Sequence, residues 1–313
     1  MVRYSFQTLA QLVVMVFGIC TLVFFLIRLI PGDPATAMLG DYATPQAVAA
    51  LRTDLGLDRP LLVQYGRFLG HAITGDLGES VVTGQPALDE ILDSLPSSAA
   101  LALSGLAIAV LLGVPLGIVT ACRAGSWTDT LVMIGGLLGI SFPVFWLGLV
   151  AVLLFAHQIH LFPALGAASS DGLWDQLRHL ALPALVLGTS TAAYIARLTR
   201  SAMLEALMQE HIRVARAMGI PERRVVYRLA LRNALIPILA IIGVTFALSL
   251  GSAILVEAVF SRPGLGSTIL KGILARDYQL VQAGVLILAL AVVMVNTLID
   301  VAYLVVDPRL RKV

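Results

Sequence analysis

The side chains in this sequence that could recognise another molecule are mostly arginines. Between Ser201 and Arg232 the chain reads SAMLEALMQEHIRVARAMGIPERRVVYRLALR, with Arg213, Arg216, Arg223, Arg224, Arg228 and Arg232 in one stretch. Guanidinium groups at that density bind carboxylates, phosphates or anionic surfaces rather than shuttle protons. Candidates for acid–base work are scattered. Glu257 and Asp300 lie at the ends of apolar runs, Asp300 four residues after Asn296. Carboxylates in such positions are functional candidates that could relay protons, yet no series of further acids extends from either, and capping or pairing at a membrane surface accounts for both. His157 and His160 could meet on one helix face, with His179 not far along the chain. Interfacial polar roles suit these three better than a metal site, and none is assigned. Ser141 and Ser249 have no suitably placed histidine or lysine, so no catalytic nucleophile is assigned. Cys20 and Cys122 sit in or beside apolar segments and read as small core residues. A nucleotide-binding P-loop needs Gly-Lys followed by Ser or Thr. The only lysines are Lys271 and Lys312, and neither follows glycine. The chain therefore carries no P-loop of its own.

The arginines need a scaffold, and the same stretch supplies it. Leu204, Leu207, Met208, Ile212 and Ala215 recur at helical spacing with charged residues between them. Gly219 ends that helix, Pro221 opens another, and Val225, Val226 and Leu229 continue an apolar face. The expectation is a helix, a glycine turn and a second helix, with an apolar stripe and an arginine rim. Such a segment could lie on anionic lipid, serve only as a topology signal, or dock a cytosolic partner. The break at Gly219 favours docking, because a helix lying on lipid has no need of a sharp turn.

The rest of the chain is built for lipid. Apolar residues make up 58% of the 313 and charged residues 13%, about half the charge of a soluble domain, and mean hydropathy is +0.92. The net charge of +2 points to no nucleic acid or other acidic partner. Six windows are long and apolar enough to cross a bilayer: 9–30, 98–121, 130–156, 180–200, 234–256 and 281–305. The fourth, short and carrying Pro183 and Arg197, is the least regular. The sequence therefore predicts an all-α membrane protein of about six transmembrane helices. The first window is too long for a signal-peptide core and is followed by Pro31-Gly32-Asp33-Pro34, so it reads as a retained span. Residues 1–30 form the N-terminus and first span. Residues 31–95, with nine acids and patterning for helices over Pro45–Leu55 and Leu61–Ile73, form a folded extracytoplasmic insert. Residues 96–313 form a five-helix core whose cytoplasmic loop is 201–232. With both termini inside, thirteen of the twenty-one Lys and Arg residues fall on the cytoplasmic side, as the positive-inside rule requires.

A family resemblance runs along nearly the whole sequence. Ala215-Arg216-Ala217-Met218-Gly219, then Arg224, Leu229 and Arg232-Asn233-Ala234-Leu235-Ile236-Pro237, resembles the "EAA" loop of ABC importer permeases in the dipeptide/oligopeptide/nickel branch. Leu29-Ile30-Pro31-Gly32-Asp33-Pro34 is similar to the end of that branch's first helix. Leu55-Gly56-Leu57-Asp58-Arg59-Pro60 with Gln64-Tyr65, and Gly75-Asp76-Leu77-Gly78 with Ser80, are similar to its insert. Val256-Glu257, Phe260, Pro263-Gly264-Leu265-Gly266, Arg276-Asp277-Tyr278 and Asp307-Pro308-Arg309 complete the series. Arg213, Val214 and Arg232 stand where the general loop pattern has Glu, Ala and Pro, which narrows the resemblance to this branch.

The resemblance implies a permease subunit of an ATP-driven importer in the bacterial cytoplasmic membrane, forming half of a path for di- or oligopeptides. Nickel chelate, glutathione or another small solute is the alternative cargo, and an ion-coupled secondary transporter the alternative class; that class predicts an inverted repeat, of which the sequence has no convincing trace. The implied partners are a second permease, homologous or identical, two ATP-binding subunits that carry ATP and Mg, and an extracytoplasmic solute-binding protein that meets the insert from Gly32 to Ser94. No cofactor is expected in this chain. Arg213, Val214, Ala215, Arg216, Ala217, Met218 and Gly219 are the implied ATPase-coupling residues, with Arg223 and Arg224 on the rim. Ser141, Phe142, Ser249 and Ser252, polar or bulky groups in apolar spans, are the candidates for the translocation path.

Overall fold

The computed structural model describes residues 2–29, 34–40, 44–54, 56–163, 165–166 and 172–306. The Pro31-Gly32-Asp33 segment, the terminal Asp307-Pro308-Arg309 and the side chain of Asp300 lie outside the described residues. Thirteen helical segments follow one another, and no β-strand is present among the described residues. They are α1 (Val2–Leu29), α2 (Pro34–Leu39), α3 (Pro45–Asp54), α4 (Leu61–Thr74), α5 (Ala87–Cys122), α6 (Trp127–Ser141), α7 (Val144–Ala151), α8 (Leu173–Leu207), α9 (Glu210–Ala217), α10 (Glu222–Arg224), α11 (Leu231–Val259), α12 (Leu265–Leu274) and α13 (Tyr278–Val306). Two π-helical stretches, Val152–Gln158 and Val225–Ala230, extend α7 and join α10 to α11.

By length and composition, α5, α8, the α10–α11 rod and α13 can each cross a membrane. The window 130–156 holds two helices rather than one continuous helix: α6 and α7 meet at a 98° bend. Pro143 has no N–H to give and forces Phe142 into extended backbone (φ −89°, ψ 134°), so α6 stops and α7 restarts. Pro183 and Pro237, by contrast, lie inside continuous helices. The irregular fourth window belongs to α8, 35 residues long and the most buried of the four.

The chain divides into two compact units, residues 1–97 with 263–293 and residues 98–262 with 294–313. In the first, Ala87 and Ile91 of α5 pack with Leu265 and Ile269 of α12 and Leu280 and Ala283 of α13. In the second, α5 and α8 approach closely through small residues. A Cβ on Gly117 would lie 2.6 Å from the Ala196 carbonyl, and one on Gly113 2.8 Å from the Ala192 carbonyl. Gly113 and Gly117 are four apart, the spacing that lets membrane helices touch backbone to backbone. This contact holds α8, and α8 carries the arginine-rich loop at its end.

Candidate functional site: a clamped surface helix

α8 ends at Leu207, and after the turn at Met208 and Gln209 the chain re-enters helix as α9. Two side chains of α9 point inward. Ile212 and Ala215 are buried among Ile118 and Ala121 of α5, Met203 and Ala206 of α8, and Val225, Val226 and Ala230 of the π-helical stretch. A second tie comes from Asn233 at the start of α11. Its amide donates to Gln209 Oε1 at 3.3 Å and lies 3.2 Å from His211 Nε2.

The turn after α9 is local chemistry. Gly219 has φ +77°, a left-handed conformation that costs other residues about 1–2 kcal/mol. Its N–H donates to the Arg216 carbonyl at 3.0 Å, and Ile220 N–H donates to the Ala215 carbonyl at 3.1 Å, satisfying the helix end. Pro221 then starts α10, its carbonyl accepting from Arg224 N–H at 2.8 Å. Arg216 spans the turn and donates to Glu222 through Nη2 at 2.6 Å and Nε at 3.1 Å. That paired donation holds the Glu222 carboxyl below its ordinary range.

With one side locked into the bundle, the other faces outward. Arg213, Val214, Arg216, Ala217, Met218, Gly219, Arg223 and Arg224 are all exposed, Met218 at 77%. Ala215 differs from the other expected coupling residues: it is an anchor, not part of the outer face. Met208 and Tyr227, in the same loop, are also exposed. Neither stood out in the sequence, where Met208 was counted with the apolar stripe and a tyrosine near arginines carries no spacing signal.

A further polar tie lies on α6 and α8. Arg200 donates to both oxygens of Asp129 at 2.7 Å, and the same carboxylate accepts from Gly125 N–H at 2.9 Å. Asp129 is buried. The start of α6 is thereby fixed to the last turns of α8, the helix that leads into α9.

The four path candidates are more dispersed in character. Ser141 is exposed, its hydroxyl donating to the Leu137 carbonyl at 2.8 Å. Phe142, at the α6–α7 bend, stacks on Trp146 with ring centroids 4.6 Å apart. Ser249 is buried and donates to the Phe246 carbonyl at 2.8 Å, while Ser252 is half-buried. Glu257, near the end of α11, is 1% exposed and accepts a hydrogen bond from Ser98 Oγ. His157 and His160 have ring centroids 6.5 Å apart, and no cluster of three or more metal-binding side chains gathers among the described residues.

Comparison with known proteins places this arrangement. Residues 113–312 match the family described as binding-protein-dependent transport system inner membrane component, and residues 1–102 match the N-terminal family of the same membrane components. The chain belongs to this family. It is 39% identical to a dipeptide transport system permease protein of Alkalihalophilus pseudofirmus, an alignment covering 99% of this chain and 100% of that one. A probable D,D-dipeptide transport system permease of Escherichia coli is also 39% identical, covering 96% and 95%. A glutathione transport system permease of Salmonella paratyphi A is 37% identical, covering 99% of each. Among solved structures, an inward-facing conformation of the MetNI methionine ABC transporter shares the fold, with a TM-score of 0.58 at 18% identity over 70% of this chain and 96% of that one. The protein is thus a multi-pass inner-membrane component of a binding-protein-dependent transport system, and the α8–α11 loop is part of that component's framework.

Proposed function

We propose that this chain is one of two permease subunits of an ATP-driven importer of di- or oligopeptides, and that the outer face of α9 with the Gly219 turn receives the movement of a separate ATP-binding subunit. The observation that carries the coupling role is the two-sidedness of α9. Ile212 and Ala215 tie it to α5, α8 and the start of α11, while Arg213, Val214 and Met218 remain outside. A force applied to the outer face reaches three spans at once. Met218 and Val214 offer apolar contact and the arginines offer charge, and Met and Arg are residue types enriched at protein interfaces. Coupling requires that the ATP-bound and ATP-free partners contact this face differently.

The peptide cargo rests on relatives that align end to end and carry dipeptide or peptide transport in their names; glutathione enters as a second cargo because a relative of similar identity carries that name. The assembly proposed comprises a second permease, identical or homologous, two ATP-binding subunits holding ATP and Mg, and an extracytoplasmic binding protein that meets the segment between α1 and α5. Both termini lie in the cytoplasm, which puts the arginines of 201–232 on the side where positive charge belongs. Ser141, Phe142, Ser249 and Ser252 remain the proposed path residues.

The test is assembly followed by uptake. Purified from its host, the chain should bring an ATP-binding subunit with it, and Met218→Asp should lower both that recovery and peptide-dependent ATP hydrolysis. If no ATP-binding subunit copurifies and Met218→Asp and Gly219→Asp leave uptake and hydrolysis intact, the reading fails. Substitution of all four path residues should change uptake without changing ATP-subunit recovery, and an unchanged uptake rate removes them.

A further inference from the structure

α4 is a helix whose sequence divides it into three faces. At 100° per residue, Leu62, Gly66, Leu69 and Ile73 share an arc of about 60°. Gln64, Arg67 and His71 lie on the opposite side, and Tyr65 and Phe68 lie between the two. The aromatic face is occupied. Tyr65 packs on Phe17, Phe24 and Phe25 of α1, and Phe68 packs on Phe24. Tyr65 also hydrogen-bonds to Thr21, and Arg28 donates to Gln64 Oε1 at 2.9 Å while lying over the Phe24 ring. The aliphatic face is open at both ends, Leu62 being 82% exposed and Ile73 87%, with Leu69 between them half-buried.

The register against α1 says what covers that face. The contacts run from Phe17 to Arg28, a length of about 16 Å along the helix. That stretch lies within the apolar run Leu9–Ile30, about 33 Å of helix and so close to the hydrocarbon thickness of about 30 Å. α4 therefore lies beside α1 within the depth of that run, where an outward apolar face meets acyl chains rather than water. Its composition agrees, since Arg67 and His71 are its only charged or titratable side chains apart from Tyr65 and both lie opposite the aliphatic stripe. An aliphatic face backed by a polar one is the pattern of a helix lying in a membrane interface.

We infer that α4 is an interfacial membrane helix, its Leu62–Leu69–Ile73 face sunk into the leaflet beside the C-terminal half of α1 and its Arg67–His71 face turned to headgroups and water. The segment between α1 and α5 is then partly embedded instead of standing wholly clear of the membrane. This goes beyond the transport reading and depends only on α1 being a span.

The test uses the assembled transporter in phosphatidylcholine–phosphatidylglycerol vesicles without a binding protein, on a background with Cys20→Ala and Cys122→Ala. Leu62→Cys, Leu69→Cys, Ile73→Cys and Arg67→Cys are compared one at a time. A membrane-impermeant maleimide should modify Arg67→Cys at least about tenfold faster than the other three. A fluorophore on any of the three stripe positions should be quenched by nitroxide-bearing lipids, and one at position 67 should not. Equal reactivity at all four positions, or protection of the stripe only after a binding protein is added, overturns the inference, the second outcome marking a protein interface instead. Three stripe positions guard against one variant misfolding. Neither readout requires ATP or cargo, so failure here is distinct from failure of the coupling reading.

Discussion

Residues 78–86 and residues 209–224 both double back on themselves, but the first loop hangs on one buried carboxylate and the second on buried aliphatic side chains. Asp277 caps α13, its Oδ1 accepting from Leu280 N–H at 3.0 Å, while its Oδ2 accepts from Ser80 Oγ at 2.6 Å and Val81 N–H at 2.9 Å. It is fully buried. An antiparallel bridge between Glu79 and Pro86 closes the loop around it. The α9 loop reverses this scheme: Ile212 and Ala215 are inside, and its ionised groups are outside. A polar latch concentrates holding power in one residue and loses it all at once. An apolar anchor spreads the hold over many contacts and leaves the charges free for a partner to read.

The largest effect should come from breaking the latch. Asp277→Ala strands four donors, Val82 N–H at 3.4 Å being the fourth, and should cost about 3–5 kcal/mol, with Asp277→Asn losing roughly half as much. Thermal unfolding of the detergent-solubilised complex measures this, and protease cutting at Val82–Gln85 should rise with it. Equal stability of Asp277→Ala and the native chain would remove the distinction between the loops.

Next in size is the polar tie behind α9. Asp129→Ala leaves the partly buried Arg200 without its carboxylate and should cost about 2–4 kcal/mol. The double exchange Asp129→Arg with Arg200→Asp should recover part of that in the same unfolding assay. No recovery would mean that the packing around the pair matters more than the charges.

Gly219 is a smaller and more local case. Gly219→Val should destabilise the turn by about 1–2 kcal/mol, whereas Gly219→Asn, which tolerates the left-handed region, should be close to neutral. Space is not the reason, since a Cβ at Gly219 would meet nothing within 4 Å. Recovery of the ATP-binding subunit should follow the same order, and equal loss with both variants would show that the glycine is read by a partner and not by its own backbone.

The smallest effect belongs to the exposed Arg216–Glu222 pair. Solvent screening limits it to about 0.2–1 kcal/mol. Because Arg216 depresses the Glu222 pKa, the stabilisation is fully present above the ordinary glutamate value and lost as pH falls through the lower folded value. Glu222→Gln should therefore differ from the native chain at pH 7 and converge with it only in acid, once pH has fallen below the lowered folded value of Glu222. A difference that persists in acid would assign the effect to packing.

Much of the loop was legible in advance because its signals are local. Gly219 and Pro221 define the turn by backbone chemistry, and the spacing of Ile212 and Ala215 marks the buried side. The assignment of Ala215 to the coupling set was less informative, because a five-residue motif does not say which of its members faces in. Pro143 bends the chain by 98°, while Pro183 and Pro237 sit in unbroken helices. Local sequence treats the three alike. Pro183 lies in a helix pressed against α5 through Gly105, Gly113, Gly117 and Gly188, and neighbours of that kind keep a proline-containing helix continuous. The partner of Glu257 was not legible for a related reason: Ser98, which donates to it, lies 159 residues away.

By itself the sequence determined the solvent and the punctuation: lipid-compatible apolar runs, a glycine turn flanked by arginines, and no P-loop lysine. These are properties of composition and of neighbouring residues, which add up along a chain without reference to its path. The tertiary structure alone decided which charges are paired, as with Asp129 and Arg200 71 residues apart or Ser80 and Asp277 197 apart. It also decided which side of α9 is locked and which is free, and how deep α4 sits against α1. Each of these depends on contacts between segments distant in sequence, where the energy lies in complementary surfaces rather than in either segment alone.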